Sequence, residues 1–300
     1  MTIETLSSRP DWFDVLVQRA ARADGRPPFS DGSLVELATG ARTLLAIGDV
    51  AAALLGDGEA ELVVDPDARR HGHGARLLDE LLSREPALRV WAHGDHKAAR
   101  ALAASRGLVA VRELLQLRAP VPAEPAPESD PAAEPAPESD PAAEPAPTRS
   151  ATVSAFRPGA DEHEWLDLNA RAFASHPEQG RVTRADLDVL MAESWFDADD
   201  FLLMRDGDGS GSVLVGYCWL KVEHGIGEFY VVGVSPERQG AGIGRLLVEA
   251  GLSRLAERGI RTSSLYVEAD NDPAVRLYRS FGFEDYAVDV QYAPRASVAN

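Results

Sequence analysis

The chain has 300 residues, 45% of them in the hydrophobic set, and a formal net charge of −18. That is enough apolar material for two cores of ordinary size, the usual outcome at this length. An acidic balance of this size excludes a nucleic-acid partner, which needs a basic surface to displace phosphate counterions, so any anionic ligand must be held by a local site.

One cysteine, Cys218, excludes an intramolecular disulfide and a thiolate metal cluster. Within Leu214-Val-Gly-Tyr-Cys-Trp-Leu-Lys-Val222 it reads as a small buried residue. The opening Met1-Thr-Ile-Glu-Thr-Leu has no basic region leading into an unbroken apolar run, and no later stretch is long enough to cross a bilayer. The expectation is a soluble, cytoplasmic, monomeric protein with no membrane partner.

In chain order, strands are predicted at Thr43–Ile47, Ala51–Leu55 and Glu61–Val64, then a helix from Gly74, a strand at Leu88–Ala92 and a helix at Lys97–Ser105. From Ala119 to Ser150 the word AEPAPESDPA recurs, at Ala123–Ala132 and Ala133–Ala142, with a partial copy over Ala143–Pro147. Proline, alanine and acids without large apolar residues cannot repay the entropy of ordering, so this segment reads as a disordered, extended linker. The seven acids of the repeats over 123–147, with no base among them, leave −11 on the rest of the chain. Beyond it, strands are predicted at Ala151–Arg157, Asp200–Arg205, Ser212–Val222, Gly227–Val234, Thr262–Glu268 and Glu284–Tyr292. Helices are predicted at Glu162–Phe173, Arg184–Met191, Gly242–Arg258 and Pro273–Ser280. The same order of elements on both sides of the linker indicates duplication of a domain. The class is α/β with a mixed (α+β) sheet, divided as 1–118, linker 119–150, and 151–300.

The sharpest local pattern is the strand-to-helix junction Val234-Ser-Pro-Glu-Arg-Gln-Gly-Ala-Gly-Ile-Gly-Arg245. Its glycines let successive N–H groups converge on an anion at a helix N-terminus, as a pyrophosphate requires. The spacing matches neither a P-loop nor a dinucleotide-binding fingerprint. The other half repeats it, offset by 170, as Val64-Asp-Pro followed by Arg69-Arg-His-Gly-His-Gly74. His71 and His73 read as loop residues rather than a metal pair, and no metal site is expected.

The Gln239-Gly-Ala-Gly-Ile-Gly244 loop, together with Leu265-Tyr-Val-Glu-Ala-Asp-Asn-Asp-Pro-Ala-Val-Arg-Leu-Tyr-Arg-Ser-Phe-Gly-Phe283, resembles the coenzyme A loop and closing pattern of the GNAT acetyltransferase superfamily. The resemblance implies two tandem GNAT domains and acetyl-CoA as acetyl donor to a small-molecule amine. Coenzyme contacts would come from Val232, Gly233, Val234, Gln239, Gly240, Ala241, Gly242, Ile243, Gly244 and Arg245, and from Asn271, Asp272, Pro273, Ala274, Val275 and Arg276 at the closing helix. In the N-terminal copy the matching positions are Leu62, Val63, Val64, Arg69, Arg70, His71, Gly72, His73, Gly74 and Ala75.

An amine attacking a thioester needs a base, an oxyanion donor and an acid for the leaving sulfur. Glu228, opening the apolar strand into the loop, is the candidate base, a backbone N–H near Val232 the oxyanion donor, and Tyr278 the candidate acid. In the N-terminal half the loop offset sets Gly58 opposite Glu228, and the Gly-Leu/Phe endings set Ala103 opposite Tyr278. That half is therefore expected to bind coenzyme without catalysis, with Glu59 and Glu61 left open as other bases.

The words Phe173-Ala-Ser-His-Pro-Glu-Gln-Gly-Arg181, Gly216-Tyr-Cys-Trp-Leu-Lys221 and Gly227-Glu-Phe-Tyr-Val-Val-Gly-Val234 resemble a two-domain branch of the superfamily that acetylates the cysteinyl amine of a cysteinyl-glucosaminyl-inositol. That resemblance implies substrate contacts from Glu178, Lys221, Glu228 and Tyr266, and from Glu36 in the N-terminal half. The acidic linker departs from it. Another amine acceptor, and a non-catalytic coenzyme-binding module, remain as alternative readings of the residues.

Overall fold

A computed structural model describes residues 2–6, 8–123, 151–174, 179–207 and 211–295. The repeats from Glu124 onward lie outside the described residues. In chain order the elements are β1 (Glu4–Leu6), α1 (Asp11–Asp24), α2 (Asp31–Thr39), β2 (Thr43–Ile47), β3 (Ala51–Gly56), β4 (Glu59–Val64), α3 (His73–Arg84), β5 (Arg89–His93), α4 (Lys97–Ser105) and β6 (Leu108–Pro120). After the repeats come β7 (Ala151–Ala155), α5 (Glu162–Ala172), α6 (Arg184–Met191), β8 (Phe201–Asp206), β9 (Val213–Glu223), β10 (Ile226–Val234), α7 (Ile243–Glu257), β11 (Thr262–Glu268), α8 (Asp272–Ser280) and β12 (Glu284–Pro294). The unpredicted α1 is amphipathic, burying Phe13, Leu16 and Ala20 at helical spacing.

Two compact units form, and they are not simply the two sequential halves. One consists of Met1–Gln116, Glu268–Asp270 and the chain from Tyr286 onward; the other of Leu117–Val267 and Asn271–Asp285. In the first unit the strand order is β1-β2-β3-β4-β5-β12-β6, so the last strand of the chain sits beside β5, with Asp289 opposite His93 and Gln291 opposite Trp91. In the second the order is β11-β10-β9-β8-β7, and the chain at the end of β6 borders β11 through Val121 N–H to Arg261 O and Ser263 Oγ–H to Ala119 O. Ala119 and Pro120, assigned by composition to the linker, are thus strand residues, and Ala119 is buried.

Each sheet is mixed, with helices on both faces. In the first unit α3 packs Leu77, Leu78 and Leu81 on one face with Leu45, Ala53 and Ala60, while α1 sets Phe13 and Leu16 on the other with Leu44, Ala52 and Leu54. In the second, Trp165 of α5 meets Phe201, Tyr217 and Trp219 on one face. On the opposite face α7 approaches so closely that a Cβ at Gly251 would come within 2.5 Å of the Phe229 ring and 3.1 Å of Cys218 Sγ. Asp200, fully buried ahead of β8, is bound by Arg254 and Arg258 at the end of α7, which ties that helix to the sheet.

In the first unit, β12 is held by a buried ionic network. His93 on β5 sits between Asp289 of β12 (3.1 Å from Nδ1) and Glu61 of β4 (3.1 Å from Nε2). Asp289 also accepts from Gly94 N–H (2.9 Å) and Arg26. Burial opposes charging the imidazole, but the hydrogen bonds and charges of Asp289 and Glu61 outweigh it and raise the His93 pKa to about 9, while both carboxyls are held below their usual range.

Two outcomes are expected. Gly251→Val should lower stability by about 1–3 kcal/mol through overpacking, read as a shift in urea midpoint. Because the folded pKa of His93 lies above its ordinary 6.5, its contribution is complete below pH 6.5 and is lost as pH rises through about 9. Thermal stability measured from pH 6 to 9.5 should decline across that window, and His93→Gln should flatten the decline.

Candidate active site

The site in the second unit is organised by a bulge in β10. Glu228 pairs with Lys221 and Phe229 with Leu220, but the next pair is Val231 with Trp219, so Tyr230 is an extra residue. The parallel pairing of β10 with β11 runs from Ile226–Thr262 to Phe229–Leu265, and Tyr230–Val234 lie beyond it. The two strands therefore part at the bulge, in front of Val232, Gly233 and Val234.

Side-chain alternation then assigns the groups to faces. Phe229 meets Gly251 of α7, and its ring packs at 5.9 Å on Phe283, which packs at 5.8 Å on Tyr278. Tyr278 thus lies on the α7 and α8 face, and its pKa is raised by burial and by the neighbouring Cys218, so the phenol keeps its proton. Glu228, one residue from Phe229, is on the α5 face with Lys221 and Trp219. Tyr230 joins them, its ring 5.6 Å from Trp219 and 5.2 Å from Trp195. Glu228 and Tyr278 accordingly lie on opposite faces of the sheet, just ahead of the point where β10 and β11 part.

At the far end of β10, Gly240 and Gly242 have φ of +79° and +80°. A side chain there would be strained, whereas glycine adopts the turn freely. Gly242 caps α7 without a side-chain hydrogen bond, so the first-turn amides of Ile243, Gly244 and Arg245 are available to an anion. Gly244 also admits Leu277, which would lie 3.2 Å from a Cβ. The Arg245 guanidinium contacts Glu249 at 3.2 Å and lies 5.0 Å over Phe281. Asn271 Oδ1 accepts from Ala274 N–H at 3.2 Å, so its oxygen caps α8, with Asp272 and Pro273 in the first turn and Val275 and Arg276 behind them.

Among the other substrate candidates, Tyr266 is exposed on β11 (41%). Glu178 lies outside the described residues, next to Gln179, whose carbonyl accepts from Asn169 Nδ2 of α5 at 2.7 Å. Glu36 belongs to the first unit, on α2, where its carboxylate is paired with Arg42.

The first unit repeats the loop but not the bulge. Arg70 and Gly72 take φ of +67° and +82°, as Gly240 and Gly242 do, and Gly72 caps α3 without a side-chain bond. A cavity of about 670 Å³ opens there, lined by Leu62, Val63, Val64, Gly72, His73, Gly74 and Ala75. Arg70 also lines it, as does Arg69, whose guanidinium is held by Asp24 at 2.7 Å. His71 Nδ1 lies 3.3 Å from Ala68 O. Ala103, in the place of Tyr278, is buried at the cavity wall.

The pairing of β3 with β4 corrects one sequence correspondence. It is continuous from Ala51–Val64 to Gly56–Glu59, so without a bulge residue the place of Glu228 falls on Glu59, not Gly58, and that of Lys221 on Gly56. Glu59 accepts from Trp91 Nε1 (3.0 Å) and Gln291 Nε2 (2.8 Å) and pairs with Arg89. Glu61 is 2% exposed and bound to His93. Neither carboxylate stands open to an incoming amine. The sequence reading missed Trp195, Tyr230 and His93; the first two are aromatics whose partners are fixed only by the bulge, and the third bonds a residue 196 positions away.

Residues 163–283 match the model of the Acetyltransferase (GNAT) family. The chain is 46% identical over 286 residues to a mycothiol acetyltransferase of Kytococcus sedentarius, covering 93% of this chain and 92% of that protein. Among solved structures it is similar to a GCN5-related N-acetyltransferase from Sphaerobacter thermophilus (TM-score 0.70, 22% identity, 99% and 97% of the chains). It is also similar to a tandem GNAT protein of the clavulanic acid biosynthesis pathway (TM-score 0.61, 18% identity, 100% of both). The chain belongs to the mycothiol acetyltransferase family of tandem GNAT proteins.

Proposed function

We propose that the chain transfers acetyl from acetyl-CoA to the cysteinyl amine of cysteinyl-glucosaminyl-inositol, giving mycothiol and coenzyme A, with the chemistry in the second unit. The reading is supported by Glu228 and Tyr278 lying on opposite faces of the sheet, just ahead of the point where the paired register of β10 and β11 ends, and by the uncapped N-terminus of α7.

An α-amine with a pKa near roughly 8 enters largely protonated at neutral pH. Glu228 takes that proton from the α5 face, directly or through a water. The backbone N–H near Val232 stabilises the developing oxyanion, and the amides of Gly240–Arg245 hold the pyrophosphate. Attack forms the C–N bond and breaks the C–S bond; the second proton of the attacking nitrogen passes to solvent, and the leaving thiolate takes its proton from Tyr278 on the opposite face, which regains one from solvent. Burial keeps that phenol protonated at neutral pH, as a proton donor requires. Lys221 and Tyr266, with Glu178, contact the acceptor in this reading.

The first unit is read as a coenzyme-holding domain without transfer chemistry: its loop and cavity fit the coenzyme arm, while Ala103 offers no proton and Glu59 is tied to three donors. The protein acts in the cytoplasm as a monomer on small molecules. Among the described residues no helix is long and apolar enough to cross a membrane.

The test is coenzyme A release with acetyl-CoA and the cysteinyl pseudodisaccharide, in competition with a peptide N-terminus and an aminoglycoside. Preference for either competitor would replace the proposed acceptor. Glu228→Gln should lower kcat by about 10²–10⁴-fold with acetyl-CoA affinity retained; near-normal turnover would remove Glu228 as the base. Gly242→Val, which forces a side chain to φ +80°, should cost far more turnover than Gly72→Val at φ +82°. Equal loss in two folded variants would contradict the division of labour.

A further inference from the structure

Lys221 belongs to an arrangement that neither the motifs nor the reaction chemistry explains. Its ammonium lies 5.3 Å from the centre of the Trp195 ring and 2.9 Å from Glu223 Oε2. Trp195 stands between α6 and β8, and its ring packs against Tyr230 at 5.2 Å and Trp219 at 5.7 Å. Trp219 in turn is stacked on Phe201 at 4.3 Å and meets Trp165 edge-on at 5.9 Å. The indole is thus braced on the fully buried core, on the same face as Glu228, while Trp195, Tyr230, Lys221 and Glu228 are all only partly buried. Tyr230 itself feels Lys221, Glu228 and Glu193, which places these charges around one aromatic wall.

A lysine carries a compact charge on a flexible stem, and fixing it in one geometry costs rotamer entropy. An aromatic face beneath the ammonium removes part of that cost before a ligand arrives, at a gain typical of cation–π pairs. Glu228, directly across from Lys221 in the register, is reserved for the amine in the proposed reaction, so the lysine is suited to hydroxyl acceptors on the rest of the molecule. We propose that Trp195 is a positioning residue that holds Lys221 for the hydroxylated rings of the acceptor, and so sets acceptor specificity without entering the chemistry. The inference rests on the acceptor proposed above.

The full chain is assayed with the cysteinyl pseudodisaccharide and with cysteinamide, which keeps the amine and lacks the rings. Trp195→Leu should raise KM for the full acceptor about tenfold, equivalent to about 1.4 kcal/mol, with kcat and the KM for acetyl-CoA unmoved. With cysteinamide it should match the unsubstituted protein. Trp195→Phe, which keeps an aromatic face, should recover most of the loss. In a Lys221→Met background Trp195→Leu should add little further. An equal effect on both acceptors, a fall in kcat with KM unmoved, or full additivity with Lys221→Met would each overturn the inference. Failure of the acceptor reading itself shows separately, as absence of turnover of the pseudodisaccharide by the unsubstituted protein while another amine is acetylated.

Discussion

The architecture of the second unit depends on one extra residue. Tyr230 has no partner position on β9, and a strand cannot absorb an unpaired residue without bending and changing which side chains share a face. Here the change brings Tyr230 and Val231 to the same side, keeps Phe229 on the other, and ends the alignment with β11. The parting of the strands and the place of Tyr230 in the aromatic wall beneath Lys221 follow from it.

The first unit is the internal comparison. Its strands, helices and glycine loop repeat the plan, including the left-handed turn at Gly72. Its β4 runs in unbroken register, and the carboxylates at the corresponding depth are spent on Trp91, Gln291, Arg89 and His93. One scaffold thus carries two different electrostatic arrangements. In the first, charges are paired internally and stabilise the docking of β12. In the second, Glu228 and the protonated Tyr278 lie on opposite faces of the sheet.

Much of this was legible in the residues. The edges of β2, β11, α4 and α6 fall where periodicity and turn chemistry put them, because each is an amphipathic element bounded by glycine or polar breakers. The loops at Gly72 and Gly242 were legible because only glycine tolerates their backbone. The first helix was overlooked although Phe13, Leu16 and Ala20 mark its face. The correspondence of Glu228 with Gly58 failed for a definite reason: counting along the chain assumes equal numbers of residues in equivalent strands, and a bulge breaks that equality. Trp195 gave no local cue, since its neighbours on β9 and β10 are 24 to 35 positions away.

By itself the sequence determined the duplication, the helix N-termini built for an anion and the residue types able to carry acyl transfer, because these rest on local backbone preference and side-chain chemistry. Tertiary structure alone decided which strand closes each unit, with β12 beside β5 and the end of β6 beside β11. It also decided that Glu59 takes the place that Glu228 has in the second unit and that Lys221 rests on Trp195. Those outcomes depend on sheet register and on contacts between distant segments, and register is fixed by how whole faces pack rather than by any short stretch of chain.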